Sequence, residues 1–155
     1  MAVVLADVLE EERVTLDLRA RNRNQALREI VLTMRGEEKV REPEKFLAEV
    51  IAREEAHTTY MGNGIAFPHA RTNWVTQIIL GIGRSRDGVP FDGAREPAQL
   101  IFFIGVPQLM VSDYLVCVGA LARLTRERPT RAALMSAAAE KEIVEILRES
   151  SLRLE

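Results

Sequence analysis

Two strongly apolar runs, Val75–Gly83 and Leu100–Val106, constrain the fold most. The first carries Ile78, Ile79, Leu80 and Ile82 and reads as a strand covered on both faces. The second has the same character and is ended by Pro107. Between them Arg84–Arg95 is a polar turn region with Asp87-Gly88 and Asp92-Gly93, dipeptides that favour tight hairpin turns. The pattern predicts a hairpin, and its two apolar faces call for helices on either side of a sheet.

The remaining chain supplies those helices. Val14, Leu16 and Leu18 alternate with polar residues, as in a half-exposed strand. Asn22 or Asn24 then caps a helix whose stripe is Ala26, Leu27, Ile30, Val31 and Met34, with Gly36 as its stop. Pro43 suits the first turn of a second helix that buries Phe46, Leu47, Val50 and Ile51. Ser112–Arg126 reads as a largely buried helix capped by Ser112. Further helices begin near Pro129 and Glu140, and Val3–Leu9 is a short element of either kind. The expectation is one α/β (α+β) domain over residues 1–155, with a central mixed β-sheet of about five strands and helices packed on both faces.

Charge and composition narrow the function. A net charge of −2 leaves no electrostatic footprint for nucleic acid. No apolar run reaches the ~18 residues of a membrane span, and no signal start is seen, so a cytoplasmic protein without membrane insertion is expected. Cys117 lies in an apolar run and reads as a buried thiol. No metal or cofactor is expected, because His57 and His69 have no companion ligands at metal spacing.

The chemistry concentrates in Gly62-Asn63-Gly64-Ile65-Ala66-Phe67-Pro68-His69-Ala70-Arg71. Glycines permit positive φ, and consecutive amides in such a turn form an anion-binding concavity. Pro68 fixes its own φ and biases Phe67 toward extended geometry, which holds His69 at a strand end. Histidine titrates near neutral pH and suits proton or phosphoryl transfer. The plainer reading is a histidine that ends a buried strand. Upstream, Arg53, Glu54 and Glu55 close a helix. An arginine there complements the helix dipole, but the two acids do not, which suggests a further use for the cluster.

Arg53-Glu54, Thr59 and the Gly62–Arg71 segment, followed by Asp87-Gly88-Val89-Pro90-Phe91-Asp92 and Gly105-Val106-Pro107, occur together in one order. In this the chain resembles the fructose/mannitol-type enzyme IIA domains of the bacterial phosphotransferase system (PTS), and most of all the stand-alone nitrogen-regulatory members. The resemblance implies a phosphocarrier. His69 would take a phosphoryl group from a histidine-phosphorylated, HPr-like carrier protein. It would pass the group to a IIB domain, or its phosphorylation state would signal to a regulatory target. Arg53, Thr59 and the turn Gly62, Asn63, Gly64 match positions that line the phosphoryl pocket. Backbone amides, a hydroxyl and a guanidinium are suited to offset phosphoryl charge.

One departure stands out. The family usually carries a second histidine at the start of the buried helix, where this chain has Asp113, give or take one residue. Against the ring, Asp113 would fix the tautomer and sharpen the nucleophile. Against the phosphoryl oxygens it would repel by ~3 kcal/mol at ~5 Å and an effective dielectric of ~20. As a first-turn acid it would simply support the helix. The second case describes a degenerate binding module with weak or no phosphotransfer.

Overall fold

The computed structural model describes residues 2–91 and 96–153. Six strands among them form one sheet: β1 (Val14–Thr15), β2 (Tyr60–Gly62), β3 (Ile65–Ala66), β4 (His69–Thr72), β5 (Ile79–Val89) and β6 (Ala98–Pro107). The helices are α1 (Leu5–Val8), α2 (Arg23–Val31), α3 (Pro43–Ala56), α4 (Val111–Arg126), α5 (Arg128–Ser136) and α6 (Glu140–Leu152). The sheet order is β1-β5-β6-β3-β2, with β4 also on β6. β3 and β4 share one lane, so the six strands occupy five positions.

The expected hairpin is present: β5 and β6 pair antiparallel from Ile79 opposite Gly105 to Arg84 opposite Leu100. Its closure differs from the expectation. Asp87-Gly88 lies inside β5, where the register shifts between Arg84 and Val89. Gly88 has φ +87, and a Cβ on it would meet Pro97 Cβ at 2.5 Å. Glycine is therefore needed there for a bulge rather than a turn. Asp92-Gly93 falls outside the described residues. Arg84, expected in a polar turn, is 1% exposed. Its guanidinium is engaged by carbonyls that the sequence does not reveal.

Alternation along β3–β6 makes two cores. Ile65, Phe67, Leu100, Phe102 and Ile104 pack with Cys117, Leu121, Leu124, Ile143 and Leu147 from α4 and α6. Ala66, Ala70, Ile101 and Phe103 pack with Leu27, Ile30, Phe46, Leu47 and Val50 from α2 and α3. On this second face small residues admit the helices: a Cβ at Gly105 would stand 2.6 Å from Phe46 Cζ.

Local signals define most helix starts. The Asn22 side chain accepts from the Gln25 amide at 2.9 Å and caps α2, and Pro43 opens α3. Ser112 does not cap α4; it lies within the helix, whose N-cap is Met110 without a side-chain bond. The strand expected over Val14–Leu18 pairs at only two residues, parallel to β5. Among the described residues no helix is long and apolar enough to cross a membrane.

Candidate functional site

The β3/β4 lane is broken at Phe67-Pro68 without loss of register. Ile65 lies opposite Leu100 and His69 opposite Ile104, so both short strands run parallel to β6 as one. Pro68 has no amide to donate, but its carbonyl accepts from Ile104 N at 2.9 Å. The Phe67 amide instead reaches the Thr59 carbonyl at 3.2 Å. Ile65, Phe67 and His69 share the face toward α4 because strand side chains alternate. The first two are core, with Phe67 stacked on Phe102. His69, at the end of the row, is half-buried.

The ring of His69 is held by its own strand. Nδ1 lies 2.9 Å from the Phe67 carbonyl oxygen. A carbonyl only accepts, so Nδ1 carries the proton and Nε2 keeps a lone pair. The Tyr114 ring of α4 lies against the imidazole, with centroids 5.3 Å apart and planes tilted by 32°. Desolvation lowers the pKa of His69, and the Arg53 charge adds to this. The bond to Phe67 and the Glu54 carboxylate oppose it. The ring is therefore neutral near pH 7.

A base whose folded pKa is depressed loses stability when it must charge. The neutral ring's contribution is fully present above the unfolded value of about 6.5 and is lost as pH falls below it. In an NMR titration His69 should show a midpoint below 6.5, and melting temperature should fall on acidification through that window. A His69 midpoint above 6.5 would contradict this account of the ring.

Arg53 is exposed in the last turn of α3, where Nη1 donates to the His57 carbonyl at 3.0 Å. That bond turns the side chain back over the helix end, and its charge is felt by both His69 and Tyr114. Behind it Glu54 is 2% exposed. Its carboxylate accepts from the Thr59 amide at 2.8 Å and the Thr59 hydroxyl at 2.6 Å. The one hydroxyl proton of Thr59 is thus committed to Glu54, and Thr59 orders the chain entering β2.

The glycine turn is remote from the ring. Gly62, Asn63 and Gly64 all have positive φ, at +91, +54 and +78. They join β2 to β3, and the Gly64 amide donates to the Tyr60 hydroxyl at 2.9 Å. Gly64 is five residues up the lane from His69, roughly 16 Å at strand rise. The turn amides therefore do not cradle this imidazole.

Asp113 accepts from the Val3 amide at 3.1 Å, in the first turn of α4. It ties down the N-terminal segment, and the side chain that meets His69 is the next one, Tyr114. In the sequence Tyr114 is one apolar residue of the largely buried helix expected over Ser112–Arg126. Its signal was its position, one residue beyond Asp113. The further use expected of the Arg53-Glu54-Glu55 cluster is, for Glu54, the hold on Thr59. Cys117 is buried, and desolvation raises its pKa to about 11, as for an inert thiol.

The sequence pattern of the family described as "Phosphoenolpyruvate-dependent sugar phosphotransferase system, EIIA 2" matches residues 7–150. The chain is 26% identical over 144 residues to the PTS system fructose-specific EIIABC component of Bacillus subtilis, with 92% of this chain covered. It spans only 23% of that relative's length. It is 34% identical over 101 residues to the PTS system fructose-specific EIIA component of Haloferax volcanii, covering 64% of this chain and 66% of the relative. The crystal structure of the nitrogen regulatory protein IIA-Ntr from Neisseria meningitidis superposes with a TM-score of 0.80 at 25% identity, over 92% of this chain and 97% of that one. The Escherichia coli mannitol enzyme IIA, solved in complex with phosphorylated enzyme IIB, shares the fold at 21% identity, with a TM-score of 0.78 over 91% and 97% of the two chains.

Proposed function

The chain belongs to the phosphotransferase-system EIIA 2 family, and from that premise we propose that it is a phosphocarrier whose acceptor atom is Nε2 of His69. The observation that carries this is the Nδ1 bond to the Phe67 carbonyl. It commits one ring nitrogen to hydrogen bonding and leaves the other as a neutral nucleophile on a half-buried, rigidly held ring.

In the step, the Nε2 lone pair forms a bond to phosphorus as the donor's P–N bond breaks. The donor ring takes back the electron pair, and the proton stays on Nδ1, donated to the Phe67 carbonyl. No metal or nucleotide is needed, because one phosphoramidate replaces another. Arg53 offsets charge on the phosphoryl oxygens. The donor is a histidine-phosphorylated, HPr-like carrier. The acceptor is a IIB domain, as in the mannitol relative's complex, or the charged state is itself a regulatory signal. Exposed Leu115 and Val116, next to Tyr114 on α4, offer apolar contact to a docking protein.

Incubation with a phosphorylated HPr-like carrier should add one phosphoryl group to His69, seen as an acid-labile mass gain. Arg53→Ala should slow the transfer by roughly a hundredfold, the scale for removing one charge-stabilising donor. Stability should change by less than about 1 kcal/mol, because the side chain is exposed. No mass gain on the wild type would refute the phosphocarrier reading. Equal losses of rate and stability would make Arg53 a structural cation.

A further inference from the structure

The geometry points to the Tyr114 hydroxyl as a donor to the oxygens of a phosphoryl group on His69, a role that rests on His69 being the acceptor. Three observations meet at this side chain. First, its ring lies on the His69 imidazole at 5.3 Å and 32°, so it comes from α4 to flank the reacting ring from a different element. Second, its hydroxyl makes no hydrogen bond to any of the described residues and is not among the buried unpartnered polar atoms, so it reaches solvent at the edge of a half-buried side chain and is free to donate to an incoming group. Third, the Arg53 guanidinium charge bears on both Tyr114 and His69.

The local charges agree with an anion there. Tyr114 lies in the first turns of α4, the positive end of that helix's dipole. The one acid in that first turn, Asp113, is bound to the Val3 amide. Burial raises the phenol's pKa above its ordinary value, so it keeps its proton at neutral pH and acts as a donor. No proton is transferred. The hydroxyl bonds an equatorial oxygen while the P–N bond to Nε2 forms, and releases it when the next P–N bond takes the group away.

Tyr114→Phe separates this role from ring packing. It keeps the ring against His69 and removes only the hydroxyl. Transfer from a phosphorylated HPr-like carrier should slow by roughly ten- to a hundredfold, with melting temperature and the His69 titration midpoint unchanged. Inorganic phosphate supplies an arm that does not depend on the carrier. Its binding to the free protein, read from the His69 ring nitrogen shifts, should weaken in Tyr114→Phe. If Tyr114→Phe matches the wild type in both assays while Tyr114→Ala loses both, the ring alone matters and the proposal fails. If the carrier never charges the wild type, the phosphocarrier reading fails on its own, and the phosphate arm still judges Tyr114. Absence of phosphate binding to the wild type in that case would overturn this proposal too.

Discussion

His69→Ala should abolish phosphoryl acceptance while leaving a folded protein. The replacement removes the sole nucleophile of the site and leaves His57, an exposed residue at the end of α3 with no comparable setting. On the stability side it deletes one hydrogen bond to the Phe67 carbonyl, worth about 1 kcal/mol. It also deletes one ring contact with Tyr114, worth about 0.5–1.5 kcal/mol. Relief of a desolvated titratable group offsets part of that. At about 2–4 °C per kcal/mol for a domain of this size, the melting temperature should fall by no more than roughly 8 °C. The measurement is the intact mass after incubation with a phosphorylated carrier, beside a thermal melt. An acid-labile phosphoryl group that persists in the variant would place the acceptor elsewhere.

Arg84→Met should have the opposite profile, with a large loss of stability and no specific loss of phosphoryl transfer in the protein that remains folded. Arg84 is 1% exposed. Its Nε donates to the Leu16 carbonyl at 3.0 Å. Its Nη1 donates to the carbonyls of Leu134 at 3.0 Å, Met135 at 3.3 Å and Ala137 at 2.7 Å. The guanidinium thus caps the C-terminus of α5 and joins it to the segment after β1. The nearest carboxylate oxygen, Asp17 Oδ1, is 3.7 Å from Nη2 on a side chain 74% exposed.

Two effects compete in this substitution. Replacing a buried charge by an apolar chain of similar length recovers desolvation and is often neutral. Here the partners are main-chain carbonyls that the substitution cannot remove, and each buried acceptor left unbonded costs about 1–3 kcal/mol. The second effect wins, and a net loss of roughly 3–5 kcal/mol is expected, or on the order of 10 °C in melting temperature. A loss below about 1 kcal/mol in denaturant titration would show that the end of α5 re-forms its bonds without Arg84.

The sequence carried a good part of this fold because many of its signals are local. The β5–β6 pair follows from two continuous apolar runs, and α2 and α3 follow from an asparagine cap and an N-terminal proline. The segment Phe67-Pro68-His69 also places its histidine at a strand end by local means. Other features left no local trace. β2, β3 and β4 are two to four residues long, too short for alternation to register. Asp87-Gly88 carries turn chemistry but makes a bulge, because Pro97 crowds its glycine from across the sheet. Arg84 reads as a surface cation until the end of α5, some fifty residues later, is packed over it.

The sequence by itself determined the class of fold and the place of His69 at a strand end, since both depend on residues close in the chain. Only the tertiary structure decided what surrounds that histidine: Tyr114 rather than Asp113 at the ring, Thr59 bound to Glu54, and the glycine turn far up the lane. The physical reason is helical phase and strand register. One residue along a helix turns a side chain by about 100°, and each residue along a strand moves it about 3.3 Å. Neither offset is fixed until the packed sheet sets it.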